Sequence, residues 1–318
     1  MLQYVFHRLW QSAVTLVLAS IVVFIGVRAL PGDPATTLAG EQADEAALAA
    51  VRAELGMDRS LPVQYFEFVT HALTGDFGKS IRTGTPVIDM IGTTLPVTMQ
   101  LALYAMIIAV LAGVIGGVLA AVFRGRWPEW AANGFSLLAL SVPTFWVGIL
   151  AVLYLSVQLN WFPASGYVSP FEHPLRGLYF LTLPAIILGL AHAAVVQRQT
   201  RSSMVETLTA DFVRTARAKG LSRGAVIFRF GLRNSLIVVT TIVGLQLGGL
   251  IAGAVVTERI FSLPGMGKLT LDSVFTRDYP VIQAVILVIA ASYIVINLLV
   301  DVLYTVIDPR VRVSGRAQ

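Results

Sequence analysis

The chain has 318 residues, 56% of them hydrophobic and only 13% charged, with a mean hydropathy of +0.76. Soluble domains carry roughly a quarter of charged residues, so this composition cannot cover a chain of such size with polar surface, and lipid must solvate most of it. The absence of cysteine excludes disulfides, thiolate metal sites and cysteine nucleophiles, and His7, His71, His173 and His192 are too scattered to suggest a metal site.

Runs of about 20 apolar residues, each able to cross roughly 30 Å of hydrocarbon, occur at Leu9–Val27, Val97–Phe123, Phe135–Val157, Leu178–Val196, Leu236–Val256 and Val281–Tyr304. Six spans put both termini on one side. With that side cytoplasmic, the inner segments hold Arg8, then Arg124 and Arg126, then the basic series from Arg198 to Arg233, then Arg310, Arg312 and Arg316, opposed only by Glu129, Glu206, Asp211 and Asp308. The outer segments are acidic on balance, so the formal charge of +5 is the signature of membrane orientation rather than of nucleic-acid binding. The expected order is a cytoplasmic N-terminus over 1–8, a first span over 9–29, an extracytoplasmic loop over 30–96, a core of five spans over 97–308 that includes a cytoplasmic loop at 198–233, and a cytoplasmic tail over 309–318. The first span reads as a retained helix: it is longer than the apolar core of a cleaved leader, and Leu30-Pro31-Gly32-Asp33-Pro34 looks like a helix exit.

In the first outer loop, the acidic stretch Ala43–Leu55 suits a helix, and Leu61–Leu73, with Val63, Phe66, Val69 and Leu73, is amphipathic; together they predict a small helical cap. That cap serves either as a seat for a partner or as a cover for the bundle. In the inner loop, Asp211 is placed to cap a short helix, and Gly220 to end it in a left-handed conformation with Leu221 packing back. Thr215, Ala216 and Ala218 give that helix a slim body able to enter a groove, and Arg214, Arg217 and Lys219 edge it with charge. The fifth span carries Gly244, Gly248, Gly249 and Gly253 at four-residue spacings that let another backbone approach; helix packing explains them, and the wall of a pathway between subunits is the alternative. Gln246, near the middle of that span, should face protein or water, which makes it a pathway candidate. Phe261 to Tyr279, with Pro264, Gly265 and Gly267, predicts a turn or short helix at the outer mouth. Asn297 and Asp301, four apart, share one face of the last helix near its inner end.

Gly78-Lys79-Ser80 and Gly267-Lys268-Leu269 resemble the end of a phosphate-binding loop, but Leu73 and Ser262 stand where its first glycine must be. No serine, histidine and carboxylate converge on a catalytic set, so the chain reads as a non-enzyme.

The inner-loop run Ala210-Asp211-Phe212-Val213-Arg214-Thr215-Ala216-Arg217-Ala218-Lys219-Gly220-Leu221 resembles the cytoplasmic loop of binding-protein-dependent ABC importer permeases, in the form typical of the peptide and nickel group with its dipeptide and oligopeptide B-type subunits. Arg214 stands where that signature has glutamate, and Phe230-Gly231-Leu232-Arg233 lacks its later proline. Gly75-Asp76-Phe77-Gly78 with Ser80, Ser141-Val142-Pro143, Glu258 through Gly267, Arg277-Asp278-Tyr279-Pro280 and Asp308-Pro309-Arg310 extend the likeness along most of the chain. The resemblance implies an all-α polytopic membrane protein of the bacterial inner membrane, with six transmembrane helices in the type I ABC importer permease fold and a helical extracytoplasmic loop. It also implies that residues 211–221 form the helix that docks on an ATPase. The implied partners are a second permease, two ATPase subunits that hold ATP and magnesium, and an extracytoplasmic binding protein; no cofactor sits on this chain. The implied cargo is a dipeptide or oligopeptide, with glutathione or a nickel chelate as alternatives. A secondary transporter driven by an ion gradient is the rival class, against which stand the lack of an evident internal repeat and of a mid-membrane acid.

Overall fold

The computed structural model describes residues 2–29, 35–36, 44–54 and 56–307, with side chains over 6–29, 35–36, 44–53 and 56–300. The motifs at Leu30 to Pro34 and Asp308 to Arg310, and the side chain of Asp301, lie outside these. Eleven helices are named here: α1 (Leu2–Arg28), α2 (Glu45–Glu54), α3 (Leu61–Thr74), α4 (Val87–Val122), α5 (Trp127–Ser141), α6 (Thr144–Gln158), α7 (Pro174–Thr209), α8 (Asp211–Ala218), α9 (Arg223–Ile260), α10 (Met266–Thr276) and α11 (Tyr279–Ile307). Extended pairing among the described residues is limited to one isolated bridge between Lys79 and Pro86.

Five helices are long and apolar enough to cross a membrane: α1, α4, α7, α9 and α11. The stretch expected as a third continuous span over Phe135–Val157 is instead two helices, α5 and α6, bent by 102° at a short break. Pro143 is the cause. It has no N–H to continue the ladder, and it holds Val142 in an extended conformation (φ −87°, ψ 131°). Hydropathy is blind to this break because the apolar run continues through it. Counting the bent pair as one span gives six.

The chain divides into two compact units. The first comprises residues 1–98 and 264–295. In it, α2 and α3 occupy the positions expected for the outer cap. Phe24 of α1 stands edge-on to Tyr65 of α3, with centroids 5.3 Å apart, and Ser20 shares a 2.8 Å hydrogen bond with the Tyr65 hydroxyl. Val23 and Val27 pack with Tyr279 and Ile282. A second cluster joins Val87 and Ile91 to Met266, Val281, Ala284 and Val285. Two of the sequence motifs meet here: buried Asp278 accepts hydrogen bonds from the Ser80 hydroxyl (2.5 Å) and the Ile81 amide (3.1 Å). The short helix expected between Phe261 and Tyr279 is α10, whose orphan Met266 N–H donates to Thr98 Oγ1 at 2.8 Å, since Gly265 at its N-cap has no side chain to do so.

The second unit comprises residues 99–263 and 296–318. Its axis is α7, the most buried of the long apolar helices. Close backbone approach occurs where α4 meets α7. A Cβ on Gly117 would lie 2.5 Å from Thr200 Cβ and 2.7 Å from the Gln197 carbonyl oxygen; one on Gly113 would lie 2.7 Å from Val196 Cβ, and one on Gly189 2.7 Å from the Ala105 carbonyl oxygen. Only glycine fits these crossings. By contrast, Gly249 on α9 has nothing within 4 Å of its virtual Cβ, and Gly253 has only Leu188 Cδ1 at 3.7 Å.

Candidate functional site

Helix α7 outruns its apolar segment. At about 1.5 Å per residue its 36 residues extend about 54 Å, and its last turns carry Arg198, Arg201 and Glu206. It stops at Thr209, and Ala210 alone, extended at φ −67° and ψ 151°, separates it from α8. The region expected as an inner loop is therefore almost wholly helical: between α8 and α9 only Lys219 to Ser222 intervene.

The ends of α8 are built differently from each other. Asp211, expected as the N-cap, is instead its first helical residue; Ala210 occupies the cap position and no side chain caps the turn. Asp211 still places an acid at the positive end of the helix dipole, and pairs with Arg214 at 3.4 Å on the solvent face. At the other end Gly220 takes the left-handed conformation, φ +84°. Its N–H donates to the Arg217 carbonyl at 3.0 Å and the Leu221 N–H to the Ala216 carbonyl at 3.3 Å, the paired bonds of a Schellman motif.

Val213 and Ala216, three residues apart, are buried against the rest of the unit. Asp211, Phe212, Arg214, Thr215, Arg217, Ala218, Lys219 and Gly220 are exposed, and Leu221 is half-buried. The small body is thus divided between two jobs. Ala216 serves the helix's own seat, and Thr215 and Ala218 face outward. Behind α8, Phe212 stacks obliquely on Phe230 with centroids 6.1 Å apart. Gly231 lies in a π-helical turn, Val226–Leu232, where its virtual Cβ is 3.0 Å from Met204 Cε and 3.2 Å from Leu208 Cδ2. Within residues 230–233, the second part of the inner-loop motif, Phe230 thus supports α8 while Gly231 lets the turn close on α7. Ser222 caps the start of α9 by accepting the Ala225 N–H at 3.3 Å.

A second brace holds α7 near its C-terminal end. The Arg201 guanidinium donates to Glu129 Oε1 from Nη2 and, at 2.9 Å, from Nε, and Glu129 Oε2 accepts the Gly125 N–H at 2.5 Å. Gly125, at φ +77°, makes the turn that brings this amide round. Next along α7, Ser136 of α5 donates to Gln197 Oε1. The helix leading to α8 is therefore pinned by α4 through close packing and by α5 through polar bonds. The Glu129–Arg201 pair was not singled out from sequence; Glu129 as the one acid in its short inner loop was the available signal.

Gln246 is half-buried and bonds His192 Nδ1 through Oε1 at 2.7 Å, while its Nε2 is buried without a partner among the described residues. Gly244 and Gly248 are buried, and Gly249 and Gly253 are exposed. No group of three or more metal-ligating side chains occurs among the described residues.

Residues 113–313 match the family described as binding-protein-dependent transport system inner membrane component, and residues 1–102 match its N-terminal segment. The glutathione transport system permease protein GsiC of Salmonella choleraesuis (strain SC-B67) is 44% identical over 312 residues, covering 98% of this chain and 99% of that protein. GsiC of Escherichia coli (strain K12) is 43% identical over the same length and coverage. Among solved structures, an amino acid ABC transporter with histidines aligns with a TM-score of 0.51 at 17% identity, covering 70% of this chain and 94% of that one, a likeness of fold.

Proposed function

This chain belongs to the inner-membrane components of binding-protein-dependent transport systems, the permeases of ABC importers, and from that premise we propose that it lines, with a second permease, a path for short peptides of the glutathione class. Two separate ATPase subunits hold ATP and magnesium, and an extracytoplasmic binding protein delivers the cargo to the outer cap. Both termini are cytoplasmic, in keeping with the basic inner segments.

The observation that carries this reading is α8: a closed, rigid helix with an exposed outer face, one residue from the end of the most buried long helix in the unit. Force applied to such a lever is passed along α7 because α4 and α5 leave that helix no room to yield locally. Residues 211–221 are the coupling segment, and Phe212, Arg214, Thr215, Ala218 and Lys219 its contact surface. Gln246, Gly248, Gly249 and Gly253 remain the pathway candidates. Peptide cargo is favoured over a nickel chelate by the near full-length likeness to glutathione permeases.

Proteoliposomes holding the whole assembly test the proposal, with labelled glutathione, a dipeptide and chelated nickel as cargoes. Uptake of glutathione or dipeptide that requires ATP, and is lost when the ATP site of the ATPase partner is disabled, is the expected result. Uptake by this chain alone on a proton or sodium gradient overturns it, and uptake confined to nickel overturns the cargo.

A further inference from the structure

We propose that the groove behind α8 binds the headgroup of an anionic phospholipid, seating its phosphate among Arg124, Arg217 and Arg223. The groove has a volume of about 220 Å³ and opens at the cytosolic edge of the second unit. Its basic residues come from separate stretches of chain: Arg124 follows the end of α4, Arg217 lies on α8, and Arg223 begins α9. None of the three is paired with a carboxylate among the described residues.

Orientation alone asks only that basic residues lie on the inner side; it does not ask that Arg124 share one cavity with Arg217 and Arg223, which lie far along the chain from it. Glu129 lies within electrostatic reach of Arg124 but is already bonded to Arg201 and the Gly125 N–H, so the convergence still costs repulsion unless an anion resides there. The walls identify which anion. Val122, Leu208 and Val226 line the same groove, and an apolar wall beneath a basic rim fits a molecule with a charged head and hydrocarbon tail better than an acidic protein loop. The position agrees on the α4 side, where the apolar run closes at Val122 and Phe123 and Arg124 follows at the edge of the groove. Arg217 makes the ligand consequential, since it shares α8 with the proposed ATPase contact surface. A lipid held there fixes the inner side of the lever while its outer side remains free to dock.

The cytosolic position rests on the orientation proposed above, but lipid binding in nanodiscs, where both leaflets carry the same lipids, does not, so the two fail separately. The test is native mass spectrometry of the whole assembly from nanodiscs containing phosphatidylglycerol and phosphatidylethanolamine, comparing wild type with an Arg124→Gln, Arg223→Gln double variant. At about 1 kcal/mol for each basic residue near the surface, the variant should hold phosphatidylglycerol about thirtyfold more weakly, with phosphatidylethanolamine unaffected. Single Arg124→Gln and Arg223→Gln variants, each showing part of the loss, guard against a double variant that fails to assemble. Equal retention of phosphatidylglycerol in all forms overturns the proposal. So does displacement of the lipid by an excess of inorganic phosphate, which assigns the groove to a soluble anion, and so does loss of the ATPase subunits with lipid retention unchanged, which assigns it to an acidic protein surface.

Discussion

Replacing Gly117 by alanine adds one carbon at a place where the structure has no room for it. The new Cβ would stand 2.5 Å from Thr200 Cβ and 2.7 Å from the Gln197 carbonyl oxygen, whereas nonbonded carbons rest at about 3.5–4.0 Å. The nearest atoms belong to the backbone and to the stem of a β-branched residue, so no side-chain rotation clears the space, and α4 and α7 must separate by about 1 Å. Overpacking of this kind costs about 1–3 kcal/mol, offset by about 1 kcal/mol of helix propensity gained on leaving glycine, for a net loss near 1 kcal/mol. Gly249→Ala gains the propensity and meets nothing within 4 Å. The two variants should therefore differ by about 2 kcal/mol in opposite directions, a gap readable as thermal midpoints of the isolated subunit in nanodiscs. Gly249→Leu then separates packing from pathway: like Gly249→Ala it should raise the midpoint of the isolated subunit, yet it should reduce uptake by the assembly. A midpoint lowered by Gly249→Ala as much as by Gly117→Ala would refute the assignment of close packing to α4 and α7.

Within α8, Ala218→Trp should weaken ATPase association and uptake without lowering the subunit's midpoint, because Ala218 is exposed, whereas Ala216→Trp should lower the midpoint by forcing an indole into a buried seat, at about 1–3 kcal/mol; co-purification and thermal melting distinguish them. Ser80→Ala removes one of two hydrogen bonds to buried Asp278 and should cost about 1–3 kcal/mol, seen as faster amide exchange at Ile81 and Asp278. His192→Phe leaves both polar ends of the Gln246 amide without a partner among the described residues and should destabilise the α7–α9 contact by about 1–3 kcal/mol, measured by melting in nanodiscs.

Much of this architecture is legible from residue order because lipid imposes long apolar runs, and five of the six expected spans lie within long helices. Gly220 and Leu221 were readable because one left-handed residue after a helical pattern has few other uses. Asp211 misled because a cap differs from a first-turn acid by a single residue, and the dipole favours an acid at either place. The glycines of α9 leave two readings open for a related reason. Four-residue spacing marks a face on which a backbone can approach, without saying which helix does so; Gly113 and Gly117 carry the same spacing and are the ones against α7. The groove behind α8, the Glu129–Arg201 brace and the His192–Gln246 bond join residues tens of positions apart, and local pattern does not contain them.

The central claim is that the outer face of α8 receives an ATPase subunit. Because the chain contains no cysteine, an Ala218→Cys variant has a single thiol on that face, and a maleimide–benzophenone attached there and photolysed in the whole assembly captures its neighbour whatever side chains that neighbour carries. The account predicts a crosslinked product between this chain and an ATPase subunit, with a yield that changes when ATP is bound. A thiol that reacts freely with a soluble maleimide and yields no such product in any nucleotide state would contradict it.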